Sequence, residues 1–204
     1  MKGHRARYIA AAMTFLALTG VQGLADEALL RNPSFEDPKQ QDNWFSDQAA
    51  HWERWGDWIN RETSWQPTSE GECLIGYHYW KVQGDTSSGI YQDIPGAKCG
   101  VQYSFSVLVF KDPGANMDSI EVRLEPSGGG APIASRTYRV RSLKSKEWVE
   151  VSVSGLPLAD GIRVVLVVTP QRGRSRQGAL KFDQAQLTTA GATSLPLAAA
   201  SGPR

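Results

Sequence analysis

The sequence predicts an all-β fold, an antiparallel sandwich or barrel, on three observations. Apolar and polar residues alternate in short runs downstream of residue 100. The apolar positions of those runs are mostly Val, Ile, Tyr and Phe, which suit a pleated and half-buried surface. Clusters of Gly, Pro, Asp and Ser punctuate the runs at short spacings. After the first 25 residues no capped, amphipathic stretch of about ten or more residues shows helical periodicity, which argues against a βαβ architecture.

The N-terminus reads as a targeting segment. Lys2, Arg5 and Arg7 precede an apolar run from Ile9 to about Leu18, followed by Gly23-Leu24-Ala25. This is the pattern of a secretory signal peptide, and the apolar run is shorter than the ~18–20 residues a membrane anchor needs. Cleavage near Ala25 divides the chain into a signal peptide (1–25), a folded domain (26–187) and a flexible tail (188–204) of Ala, Ser, Thr, Gly and Pro. The expected product is secreted or periplasmic, with no membrane attachment once the signal is gone. Its removal leaves 19 basic against 21 acidic residues, a formal charge of −2. Such a balance gives no electrostatic reason to hold nucleic acid or an anionic membrane. Arg172, Arg174 and Arg176 are the local exception and read as a solvated loop.

Strands are expected at Glu72–Tyr79 and Ser88–Ile94, then along four clear alternations. Tyr103, Phe105, Val107 and Val109 share one face, as do Ile120, Val122 and Leu124, and Val149, Val151 and Val153. Ile162, Val164, Leu166 and Val168 share a fourth face, but Val165 and Val167 make that strand apolar on both sides, as for a central or doubly covered position. The two cysteines, Cys73 and Cys99, are expected to pair in an oxidising compartment. A hairpin between the first two strands brings them together at its open end. Two buried free thiols are the alternative.

Chemistry concentrates in one segment. Between Asp42 and Trp80 lie six of the seven tryptophans. A sugar presents an apolar C–H face, which a flat aromatic covers, and a hydroxyl rim, which amides, carboxylates and guanidinium groups bind. Trp58, Trp65 and Trp80 stand among Asp, Asn, Arg, Glu, Gln and Lys and are the candidate stacking platforms. Asn60, Arg61, His78 and Gln92 are the candidate polar contacts. Alternation places Tyr77 and Tyr79 with Ile75 on a core face, and His78 with Trp80 outward. Trp148, beside an alternating strand, reads as a packing residue; Trp44 reads either way.

The order of signatures resembles a known group. Leu30-Arg31-Asn32-Pro33-Ser34-Phe35-Glu36-Asp37, His51-Trp52-Glu53-Arg54-Trp55-Gly56, Ser88-Gly89-Ile90-Tyr91-Gln92-Asp93-Ile94, Gly100-Val101-Gln102-Tyr103-Ser104-Phe105-Ser106, Trp148 and Phe182-Asp183-Gln184-Ala185-Gln186-Leu187 follow one another across most of the chain. Together they resemble carbohydrate-binding modules of types 4, 9 and 22, β-jelly rolls of the galactose-binding-like superfamily. The resemblance implies jelly-roll topology, a buried Trp52, an oligosaccharide or polysaccharide partner and no catalysis. It also implies a structural Ca²⁺ on Glu36 and Asp183, although Gln184 stands where a second Asp is usual.

Catalytic signals are sparse. His51 and His78 are the histidines beyond the signal segment, and no zinc-spaced pair, nucleophile elbow or phosphate loop is present. Glu70 and Glu72 are two residues apart, and nothing sets the ~5–9.5 Å separation of a glycosidase pair. The expectation is a secreted, non-catalytic sugar-binding module. The alternative is a secreted structural or protein-interaction sandwich with no glycan ligand.

Overall fold

The computed structural model describes residues 29–38, 48–63, 67–173 and 175–189. The expected signal segment, Trp44, Trp65, Arg174 and the chain after Thr189 lie outside the described residues. Among the described residues ten strands form: β1 (Glu53–Trp55), β2 (Ile59–Glu62), β3 (Leu74–His78), β4 (Ser88–Ile94), β5 (Tyr103–Lys111), β6 (Ser119–Pro126), β7 (Ala134–Arg139), β8 (Trp148–Gly155), β9 (Ile162–Thr169) and β10 (Ala179–Thr189). They make two five-stranded sheets, ordered β1-β4-β9-β6-β7 and β2-β3-β10-β5-β8. All strand pairings in both sheets are antiparallel. This is an all-β sandwich of the jelly-roll kind.

The alternations expected from sequence set the inner faces. Phe105, Val107 and Val109 of β5 share one core with Ile120, Val122 and Leu124 of β6 and Ile162, Val164 and Leu166 of β9. Each such side chain contributes roughly 1.5–3 kcal/mol on burial. Trp52 and Phe35 join them, fully buried, with ring centroids 5.3 Å apart. The Trp52 indole N–H donates to the Asn32 carbonyl at 3.0 Å, so its polar edge is satisfied. β9 lies in the middle of its sheet, as its doubly apolar pattern requires. On its outer face Val167 pairs with Gly89, and the Trp55 indole crosses that glycine. A Cβ at Gly89 would lie 2.1 Å from Trp55, so glycine there is a condition for the ring to lie flat.

Two expectations are corrected. β3 and β4 do not form a hairpin: β3 pairs with β2 and β10, and β4 pairs with β1 and β9 in the opposite sheet. The connection from Tyr79 to Ser87 carries the chain across the sandwich, a gap of about 10 Å. The register that joined the cysteines is therefore absent. Cys73 is a buried free thiol at the start of β3, and Cys99 is an exposed one in the β4–β5 loop. β7 was not foreseen. It is an edge strand with one neighbour and a largely exposed Ser-Arg-Thr-Tyr-Arg sequence, so it carries little apolar alternation.

Candidate functional site

At one end of the sandwich β3 runs out at His78 and the chain tightens into a short 3-10 helix, Tyr79–Lys81. Tyr79 turns inward and is fully buried. Its hydroxyl donates to the Gln171 carbonyl at 2.7 Å and accepts from the Gln171 N–H at 2.8 Å. His78 and Trp80 turn the other way, as alternation predicts. Their rings meet edge to face at 4.8 Å and 79°. Trp80 is 42% exposed, while His78 beneath it is 1% exposed. The His78 Nε2 lies 2.6 Å from Oε2 of Glu62, an equally buried carboxylate on β2. The other Glu62 oxygen presses on Gly76, where a Cβ would stand 2.0 Å away. A rigid base thus backs the Trp80 indole.

Trp58 belongs to the same corner. It sits between β1 and β2 with a left-handed φ of 49°, and its carbonyl accepts the His78 N–H at 3.3 Å. The ring is half-buried, and the Lys81 ammonium lies 5.4 Å from its centroid. A half-buried indole under an ammonium therefore stands at the corner that carries the exposed Trp80. Trp65, the third expected platform, lies outside the described residues.

The other expected polar contacts are used inside the protein. Arg61, 1% exposed, donates from Nε to the Phe35 carbonyl at 2.6 Å. Its Nη2 donates to the carbonyls of Glu36 and Pro38 and to the Cys73 sulfur. Gln92 pairs its side-chain amide with the Arg31 backbone, accepting from the N–H at 2.8 Å and donating to the carbonyl at 2.9 Å. Asn60 accepts from Arg54 at 2.7 Å. His78 is sealed against Glu62. Burial and these internal bonds correct the reading of Asn60, Arg61, His78 and Gln92 as surface groups for a ligand. Sequence shows residue type, whereas distant backbone groups have claimed Arg61 and Gln92, and the side chains of Arg54 and Glu62 have claimed Asn60 and His78.

Glu36 and Asp183, the residues implied for calcium, face amides. A bulge in β10 between Asp183 and Gln186 aims the Asp183 carboxylate inward. Its Oδ2 accepts the N–H groups of Ser69 and Glu70, and its Oδ1 that of Gln184. Glu36 Oε1 accepts the N–H groups of Glu72 and Cys73 at 3.0 and 2.8 Å. A calcium shell needs about six to eight oxygens. Among the described residues no group of three or more His, Cys, Asp or Glu converges on a point. Five backbone donors stand where a cation would, so the residues as placed do not fit that metal. Burial, reinforced by the nearby Glu36 charge and opposed by the three amides, raises the Asp183 pKa to about 6. Burial likewise raises the Cys73 thiol to about 11, which keeps it protonated and unreactive at neutral pH.

A wider cleft of about 670 Å³ runs beside the C-terminal half of β4 and contains His51 and Tyr91. The Arg163 guanidinium lies 4.0 Å over the Tyr91 ring and is doubly bonded to Asp93, so that ring face is taken. The loop arginine flagged by sequence, Arg176, is also committed, to the Val82 carbonyl and the Asp85 carboxylate. Sequence reading missed a smaller cleft at the same end as Trp80, which contains Arg139, Arg141 and Gln171. Its only signal was the Arg-Val-Arg spacing at 139–141.

No protein-family model matches the chain, and no curated protein matches it in sequence. Solved structures do. The apo form of a cyclase from Fischerella sp. superposes with a TM-score of 0.61 at 16% identity, covering 82% of this chain and 97% of that one. The module TmCBM61, solved with β-1,4-galactotriose, gives 0.55 at 16% identity over 80% and 99%. The CBM22-1 xylan-binding domain of Xyn10C from Paenibacillus barcinonensis gives 0.50 at 14% identity over 82% and 97%. The chain has the fold of a carbohydrate-binding module. The cyclase shares that fold, so architecture alone does not separate binding from catalysis.

Proposed function

We propose that the protein is an exported, non-catalytic carbohydrate-binding sandwich that stacks a sugar ring on Trp80, with Trp58 and Lys81 completing the rim. The observation that carries this reading is the Trp80 indole, 42% exposed yet backed by the buried His78–Glu62 pair. A ring held this way loses little freedom when a pyranose covers it. Trp65 stays a candidate through its place in the sequence. The fold shared with TmCBM61 and the xylan-binding domain supports the reading, and the signal-like N-terminus supports export.

Catalysis has weaker support. His78 meets a carboxylate at 2.6 Å, but both groups are closed off from solvent, so the pair positions Trp80. Retention on a panel of insoluble polysaccharides tests the proposal, with Trp80→Ala and Trp58→Ala beside the unaltered chain. The expected result is retention on at least one polymer, abolished by Trp80→Ala and weakened by Trp58→Ala. Retention on none, or retention indifferent to Trp80→Ala, overturns it.

A further inference from the structure

The smaller cleft, about 340 Å³, opens where β6 and β7 meet the loop after β9. Its walls are fixed by internal bonds. The Asp118 carbonyl accepts the Val140 N–H at 3.1 Å, and its carboxylate accepts from the Arg139 guanidinium. The buried Lys111 ammonium donates to the Val140 carbonyl at 3.1 Å, which pins the turn between Arg139 and Arg141. Across the cleft Asn116 donates to the Ser175 carbonyl and accepts the Gln177 N–H. The Gln171 backbone is clamped at both N–H and C=O by Tyr79, the residue before Trp80. Met117, 3% exposed, supplies an apolar floor.

Against these satisfied walls, two polar heads have no partner among the described residues: the Arg141 guanidinium and the Gln171 side-chain amide. Asp118 offsets Arg139, so the lining keeps one positive charge, on Arg141. A planar guanidinium matches a carboxylate in-plane, and an amide offers one donor and one acceptor for a neighbouring hydroxyl. The volume lies at the lower end of small-ligand sites, of order 300–1,000 Å³. We infer that this cleft is a second binding site, one that takes a uronate residue of an acidic glycan through Arg141 and Gln171. The sugar part of this inference rests on the carbohydrate reading above; the acidic part rests on the cleft alone.

Calorimetric titration of the full chain with trigalacturonate and with its methyl ester tests it. The expected outcome is a preference of about tenfold or more for the free acid, falling as salt rises. Arg141→Ala abolishes that preference, and Arg141→Lys, which keeps charge but not the planar fork, retains part of it. Because Arg141 is exposed, both variants should melt like the unaltered chain. Equal binding of acid and ester, or a preference that survives Arg141→Ala, overturns the cleft. If Trp80→Ala nevertheless abolishes binding of both forms, the carbohydrate reading stands without it. If neither form binds and no polysaccharide retains the protein, both readings fall together.

Discussion

Two regions of this sandwich hold similar residues and use them in opposite ways. Around Arg61, Glu36 and Asp183, buried or half-buried charged side chains are bonded to backbone: Arg61 to three carbonyls, Asp183 to three amides and Glu36 to two. Near Trp80, Lys81, Arg141 and Gln171, side chains reach the surface while neighbouring backbone is held by other groups, that of Gln171 by Tyr79 and that of Val140 by Asp118 and Lys111. The first region fastens the N-terminal segment to the sheet. The second presents chemistry. A polar residue becomes available to a ligand when something else has met the local backbone's hydrogen-bonding needs.

The largest expected effect comes from cutting the fastening. Arg61→Leu leaves the carbonyls of Phe35, Glu36 and Pro38 without that donor and should cost about 3–5 kcal/mol in urea unfolding, while sugar retention per folded molecule persists. A loss below about 1 kcal/mol would show that water replaces the guanidinium readily.

Asp183 comes next. Its folded pKa of about 6 lies above the ordinary value of 3.8, so between those pH values the folded chain holds a proton that the unfolded chain has released. Its contribution to stability is therefore greatest at low pH, declines by roughly 3 kcal/mol in all as pH rises from about 3 to 7, and is level above that. Asp183→Asn should flatten this window in a pH series of denaturation curves. An unchanged slope would assign the pH dependence to another group.

Gly76→Ala joins the two regions. The added methyl meets the Glu62 carboxylate, which buried His78 holds, so a cost of about 1–3 kcal/mol is expected together with weaker sugar retention. Loss of stability with retention intact would uncouple Trp80 from its base. Trp80→Ala reverses the pattern, with at most about 1 kcal/mol of stability lost and retention abolished. Reduction should do least. With both thiols free, dithiothreitol leaves the melting temperature unchanged, and in the native state a thiol reagent labels Cys99 but not Cys73. A melting point that falls on reduction would restore the expected bridge.

Legibility followed the same division. β5, β6, β8 and β9 were readable because each turns one face to the core, and a period of two is written into the strand itself. β4 was found at its full length, Ser88–Ile94. The parity that sent Tyr77 and Tyr79 inward and His78 and Trp80 outward survived even the 3-10 turn at 79–81. What outward meant was not readable. His78 points away from the core yet is buried, whereas Trp80, two residues on, is exposed. Gln92 looked like a free amide on a strand, and the Arg31 backbone, 61 residues away, had taken it.

The sequence by itself determined an all-β sandwich, its main strands, a core containing Trp52, Tyr77 and Tyr79, and an aromatic-rich stretch worth testing for sugar. Tertiary structure alone decided which sheet β3 and β4 join, that the cysteines stay apart, and which polar residues remain available. The reason is range. Strand periodicity is set between neighbouring residues, but a polar group's fate depends on partners brought from 26 residues away, as for Arg61 and Phe35, or 114 away, as for Ser69 and Asp183.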